Sequence, residues 1–308
     1  MRRKALDMVY EMAKADPRVF FIGSDLGFGT LKDFQREIPG RFFMEGINEA
    51  HAIGMAAGLA LEGKIVYVNT IATFLSRRCY EQVALDLCLH NLPVRLIGNG
   101  GGLVYAPLGP THLAIEDLAI FRALPNMTIL APADADEIER LMPQTRDLPG
   151  PVYIRLAKGF DPIVSRPDMP CVLGKGLAMR RGQDALAVTT GITLKLALDA
   201  AETLAAKGVS LGVLHLPTVK PLDTHLLLEM ASSAKAVLTV EEHVLNGGLG
   251  SAVIETLAEA GMADGKRFKR LGIPDVFPDK YGTQDGLMAR YGITSAAIVD
   301  TLTSFLNI

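Results

Sequence analysis

The sequence predicts an α/β protein of two three-layer αβα domains, each built on a mostly parallel sheet. Three observations lead there. Short apolar runs alternate with helical patterns along the first half of the chain, the order expected of a parallel sheet covered on both faces. A break follows at 161–170 (DPIVSRPDMP), with three prolines in ten residues. The alternation then restarts, and 308 residues suit two domains of ordinary size. The expected division is 1–160, a linker over 161–180, and 181–308.

In the first half an amphipathic pattern over 4–15 predicts a helix, and the apolar run VFFIG at 19–23 a strand. Small and apolar helix formers fill 50–61. KIVYVN at 64–69 is strand-like, 76–89 helical, VRLIG at 94–98 strand-like and 114–122 helical. TILA at 128–131, a helix over 135–142 and VYIRL at 152–156 complete the series. The second half reads as strands over 185–190, 210–215, 236–241 and 269–272. Helices are expected over 193–207, 223–232, 250–260 and 296–307. Neither heptads nor short repeats occur.

Composition narrows the function. The formal charge of -3 comes with no basic stripe, and KRFKR at 266–270 reads as a solvated surface turn, so nucleic acid is not the expected partner. Cys79, Cys88 and Cys171 follow no metal spacing and leave one unpaired, which fits a reducing cytoplasm. The N-terminus begins basic and then turns amphipathic rather than building an apolar signal core. No stretch reaches the roughly 20 apolar residues of a membrane helix. A soluble cytoplasmic protein is expected.

The most informative segment is EGINEAHAIGMAAGLAL at 45–61. One carboxylate, Glu49, opens a helix nearly free of other charge, and Gly54 and Gly58 on it allow another backbone to approach. A glutamate at the mouth of a buried helix is costly unless something polar meets it; in an isolated segment, the helix dipole is the simpler reason for an acid there. Several loops follow strand C-terminal ends, where open parallel sheets place ligands: Ser24, Asp25 and Leu26 after the first strand, 69–74 after the second, GNGGG at 98–102 after the third. A long constrained loop then leads to GPTH at 109–112. Taken alone, His112 is more commonly explained as a helix-terminal or core histidine. The glycine clusters lack the G-x-G-x-x-G order, and neither a phosphate loop nor H-E-x-x-H occurs.

Together these segments resemble thiamine-diphosphate enzymes of the transketolase group, namely the pyrimidine-binding domain followed by the transketolase C-terminal domain. The resemblance spans nearly the whole chain. It implies that Glu49 hydrogen-bonds N1′ of the cofactor's aminopyrimidine and so promotes loss of the C2 proton. Phe74 and Tyr80, in TFLSRRCYEQ, match aromatic positions that pack on the pyrimidine, and Asp25 and Leu26 fall in a loop that also meets the cofactor. GPTHLAIEDLAIFRALPN at 109–126 makes His112 a candidate for binding substrate oxygens and moving protons, with His51 a weaker catalytic candidate. Arg155, in YIRLAKG, matches an arginine that binds the acceptor end of sugar phosphates. VTTGITLKLALDAAETL, LPTVKPLD, EEHVLNGGLGSAV and YGTQDGLMARYG match the C-terminal domain, to which assembly is ascribed and no catalytic residue.

Two departures qualify the resemblance. The chain carries no G-D-G with a downstream asparagine, the pattern that holds Mg2+ and the diphosphate. A separately encoded diphosphate-binding subunit is therefore expected, in an α2β2 assembly, with self-association through the pyrimidine and C-terminal domains and with no metal ligand in this chain. Second, Leu108, Gly100 and Gly29 stand where transketolases keep acidic, histidine and serine contacts to phosphosugars. Arg77 occupies a usually aromatic position and is a further substrate-binding candidate. The leading reading is thus the C-terminal subunit of a split transketolase that moves a two-carbon ketol unit between sugars. The alternatives are the β subunit of a 2-oxo acid dehydrogenase first component, a pyruvate-condensing enzyme similar to deoxyxylulose-phosphate synthase, and a non-catalytic assembly subunit.

Overall fold

The structure, a computed structural model, describes residues 1–24, 30–157, 159 and 161–308. Its strands are β1 (Val19–Gly23), β2 (Phe42–Met44), β3 (Ile65–Ile71), β4 (Val94–Asn99), β5 (Thr128–Leu130) and β6 (Val152–Leu156), followed by β7 (Leu177–Arg180), β8 (Ala185–Thr189), β9 (Leu211–His215), β10 (Thr218–Lys220), β11 (Ala236–Val244) and β12 (Arg267–Ile273). They form a seven-stranded sheet in the order β10-β5-β6-β4-β3-β1-β2 and a five-stranded sheet in the order β12-β11-β8-β9-β7. Pairing is parallel except for β10 against β5 and β7 against β9. The mostly parallel α/β architecture is as the sequence predicts.

Period-two alternation explains why these strands are apolar throughout. Along β3, Val66 and Val68 enter one core with Ile53, Leu96 and Phe121. Ile65 and Tyr67 enter the opposite core with Leu6, Val9 and Ile154. Along β8, Leu186 and Val188 pack with Leu214 and Val253, while Ala185 and Ala187 face Leu194, Val213 and Leu302. Burial on both faces removes the polar alternation of a half-exposed strand.

Three local expectations change. The helix expected over 76–89 is broken: Ala72–Arg77 ends before Cys79, whose backbone leaves the helical region at φ -132 and ψ 24, and the chain resumes at Tyr80–Gln82 and the π-helical Val83–Leu89. The helix expected over 114–122 shortens to Asp117–Arg122, because Ala114 pairs with Gly101 and Gly102 in isolated bridges instead. Within 161–180, Leu177–Arg180 is strand β7, paired with β9. Strands β2, β7 and β10 and helices Lys32–Glu37 and Gln284–Arg290 are additions to the predicted set; each is short, and pattern reading favours long periodic segments.

The two halves are fastened together. Strand β10 leaves the second half to pair with β5 of the first sheet. Glu137 meets His215 at 3.0 Å with both side chains fully buried, and the Val244 amide donates to the Ile115 carbonyl at 2.8 Å. This seam lies beside the loop that carries His112.

Candidate active site

Glu49 begins the Glu49–Leu61 helix and is 4% exposed. One oxygen accepts from the Arg78 guanidinium at 3.2 Å, and the other accepts from the Thr70 hydroxyl near the end of β3 at 3.4 Å. The Ser24 hydroxyl, just past β1, donates in turn to Thr70. The adjacent ends of two parallel strands thus supply the polar surroundings that a buried carboxylate needs.

Arg78 also lies over Phe74, its guanidinium carbon 3.7 Å from the ring centroid, a cation–π contact. The Phe74 ring meets the His112 ring edge-on at 5.3 Å and 64°. Nδ1 of His112 pairs with the Thr111 hydroxyl at 2.9 Å, and its amide closes a turn on the Gly109 carbonyl at 3.0 Å. Glu49, Phe74 and His112 therefore form one continuous group, linked through Arg78. Sequence reading missed Arg78, Thr70 and the contacts they make; the Arg77-Arg78 doublet was the available signal.

The other candidates separate from this group. Arg77 donates to both oxygens of Glu116, and also to the carbonyls of Pro110 and Leu113 at 3.3 and 3.1 Å. It clamps the loop carrying His112. Tyr80 donates to the Ile120 carbonyl at 3.0 Å and stacks on Phe121 at 6.3 Å, contacts typical of a core aromatic. His51 is exposed and pairs with Glu45 at 3.2 Å; two residues beyond Glu49, it cannot share that residue's helix face. Asp25 and Leu26 lie outside the described residues.

Arg155 changes character most. Expected as an acceptor-binding cation, it is buried and bidentate on Asp117, with bonds of 2.8 and 3.2 Å. It also donates to the Ala114 and Glu242 carbonyls at 3.1 and 2.9 Å. Burial pulls its pKa down, but the charges of Asp117 and Glu242 outweigh burial and leave it raised. These contacts make Arg155 the buried counter-ion of Asp117 at the seam between the halves. The reason lies in Asp117, which would otherwise be a buried charge bonded only to Tyr153 at 2.6 Å.

The glycines of GNGGG serve close packing. A Cβ on Gly101 would lie 2.5 Å from the Arg155 side chain, and one on Gly102 2.4 Å from the Glu242 carboxyl carbon. Glu242 has its pKa pushed up to about 7 by burial, against the opposing pull of Arg155, Gln284 and the Leu103 amide. The cysteines are free and buried; burial, helped by Glu49, pushes the Cys79 thiol up to about 12. Among the described residues no group of three His, Cys, Asp or Glu could hold a metal ion, and no helix is long and apolar enough to cross a membrane.

The donor set at Glu49 fits an aminopyrimidine: a carboxylate at a helix N-terminus, a hydroxyl beside it, and an aromatic side chain on the next segment. The transketolase pyrimidine-binding domain matches residues 1–160, and the transketolase C-terminal domain matches residues 174–298. The chain is 40% identical over 301 residues to the 1-deoxy-D-xylulose-5-phosphate synthase of Syntrophotalea carbinolica, covering 96% of this chain and 46% of that protein. It is 34% identical to one of the subunits of the apulose-4-phosphate transketolase of Phocaeicola vulgatus, covering 99% and 97%. To the 6-deoxy-6-sulfo-D-fructose transketolase subunit of a Clostridium species it is 36% identical, covering 97% and 92%. A solved structure described as a split gene transketolase, inactive beta4 tetramer, superposes with a TM-score of 0.90 at 36% identity, covering 99% of this chain and 98% of that one. The chain spans about half the length of the deoxyxylulose-phosphate synthases it matches.

Proposed function

The chain belongs to the transketolase family, and we propose from that premise that it is the C-terminal subunit of a split transketolase. With a separate diphosphate-binding subunit and thiamine diphosphate it transfers a two-carbon ketol unit between sugars. The observation that carries this reading is the Glu49 carboxylate, buried at a helix N-terminus with Thr70 and Arg78 on its oxygens and Phe74 beneath Arg78. Near-complete coverage of two transketolase subunits supports the two-chain form, with Mg2+ and the diphosphate held by the partner. A cytoplasmic location, with three free cysteines, belongs to the same proposal.

In this reading Glu49 and Phe74 hold the aminopyrimidine. When bound, the cofactor would supply a nucleophilic carbon for ketol transfer. Glu49 binds or releases a proton at its carboxylate, which positions acid–base chemistry where water is excluded. His112, with Nδ1 on Thr111, presents Nε2 to a substrate hydroxyl, and Arg77 holds the His112 loop in place through Pro110 and Leu113. For Phe74 to pack on the pyrimidine, Arg78 would have to leave its face, and its side chain is 45% exposed, so little packing opposes that movement.

A second reading, condensation of pyruvate with an aldehyde, is favoured by the 40% identity to deoxyxylulose-phosphate synthases. Arg77, the cation that would take the pyruvate carboxylate, is engaged by Glu116, which weighs against it. Calorimetry of thiamine diphosphate with Mg2+, on this chain alone and mixed with a candidate diphosphate-binding subunit, tests the proposal. Binding only in the mixture, followed by ketol transfer from a ketose donor, is expected. Tight binding by this chain alone would overturn the two-chain site.

A further inference from the structure

The loop between Gly102 and Gly109 leads into His112, and the second half of the chain touches both of its ends. At the first end, one Glu242 oxygen accepts from the Leu103 amide at 2.7 Å and from the Gln284 side chain at 2.8 Å. Gly102 has φ +68, and a Cβ there would collide with Glu242 at 2.4 Å. At the other end Gly109 has φ +77, and a Cβ there would stand 2.6 Å from the Tyr281 ring. Each end therefore has a glycine in the left-handed region, which an L side chain rarely adopts, and each uses the space to admit a second-domain side chain. Tyr281 and Gln284 lie three residues apart, so one short segment serves both contacts, with Glu242 relaying the first. The base of the loop is closed independently by reciprocal bonds between Gly102 and Ala114 at 2.8 and 3.2 Å.

Tyr281 is 70% exposed, and a large aromatic so exposed gains little from burial. Its ring edge over Gly109 faces the turn whose Gly109 carbonyl accepts the His112 amide. We propose that the C-terminal half is a positioning unit for His112, with Glu242, Gln284 and Tyr281 holding the loop from the second-domain side as Arg77 holds it from the first. The functional consequence rests on the reading of His112 as a substrate-facing group, whereas the positioning itself does not.

The test uses the full chain with hydrogen exchange of backbone amides and imidazole NMR of His112. Tyr281→Ala and Gln284→Ala should each raise exchange across 103–112 by about 10-fold and shift the His112 ring signals. Exchange in β11 and in the Ser295–Leu306 helix should not change. Tyr281→Phe keeps the ring edge and should restore the wild-type pattern, a rescue that nonspecific destabilisation would not show. In the reconstituted two-chain enzyme Tyr281→Ala should lower kcat or raise the acceptor KM with cofactor affinity unchanged. Wild-type exchange and His112 signals in both alanine variants would overturn the positioning role. If loop exchange rises while His112→Ala leaves turnover intact, the positioning role stands and the assignment of His112 fails.

Discussion

Arg78 donates to Glu49 at 3.2 Å while its guanidinium carbon sits 3.7 Å above the centre of the Phe74 ring. The same cation thus partners a nearly buried carboxylate and covers the aromatic beside it. Arg78→Met keeps most of the stem but leaves Glu49 with the 3.4 Å Thr70 bond. Because Arg78 is half exposed, the loss should be about 1–2 kcal/mol, below that of a fully buried pair. Introduced into a Glu49→Gln background, the same change should cost only a few tenths. Urea denaturation of the four proteins gives the cycle, and strictly additive costs would show that the two groups are not coupled.

Glu49→Gln separates chemistry from fold. The amide keeps a polar group against Thr70 and removes only the ability to carry a charge or a proton. Acid–base contributions of this type amount to about 10²–10⁴-fold, so turnover by the reconstituted enzyme should fall by at least about 100-fold. The thermal midpoint of the chain should change little, since the loss of the Arg78 pair is offset by relief of the desolvation of a nearly buried charge. Full turnover in the variant would favour an assembly subunit.

Glu242 gives the stability of the chain a defined pH dependence. Its pKa, about 7 against an ordinary 4.5, means that between these values the native chain keeps a proton the unfolded chain has released. The stabilisation is complete below about 4.5 and is lost as pH rises through 7. The shift corresponds to about 3 kcal/mol. Arg155, Asp117, Gln284 and the Leu103 amide are the groups that face it. Relative to wild type, Glu242→Gln should gain up to about 3 kcal/mol between pH 4.5 and 8, read by urea denaturation. A difference independent of pH would refute this.

What the sequence made legible follows from what makes a pattern local. Strands β1, β3, β4, β6, β8, β9 and β11 are apolar runs buried on both faces, and they stand out without tertiary knowledge. Glu49 was conspicuous because its own helix carries so little charge. The pairing of Arg155 with Asp117 was not legible, because the two lie 38 residues apart and nothing in the sequence couples them. The break at Cys79 and the bridging of Ala114 to the glycine loop are tertiary effects that override helical propensity. Tyr281 and Glu242 gave no signal, since a loop contact across two halves has no period.

The Arg155–Asp117 pair predicts a large, conditional effect. Arg155→Met strands a buried carboxylate beside Tyr153, and breaking such a pair costs about 3–5 kcal/mol. Adding Asp117→Asn should recover a substantial part, because the orphaned charge is gone. Denaturation of the single and double variants checks this. A stable Arg155→Met protein whose only defect is a raised acceptor KM would return Arg155 to the substrate-binding role.

The outer face of the Glu49–Leu61 helix predicts how the chain associates. Ile47 and Leu61 are 76% and 67% exposed, and Leu85 and Leu89, on the neighbouring π-helical segment, are 49% and 71% exposed. Between them Gly54 and Gly58 face open space, since a Cβ at either would meet nothing within 4 Å. Within one chain these glycines therefore have no packing purpose and weaken the helix by roughly 0.5–1 kcal/mol each relative to alanine. A stripe of small residues edged by exposed leucines and isoleucine suits close approach of a second copy. Gly58→Arg separates the two consequences: arginine is a good helix former, so the denaturation midpoint of the chain at low concentration should hold or rise. A buried unpaired charge in the contact should at the same time weaken association by at least about 100-fold. Sedimentation would then show wild type as an assembly and the variant as a monomer. If both sediment as monomers, or both assemble alike, this face is not the contact between copies.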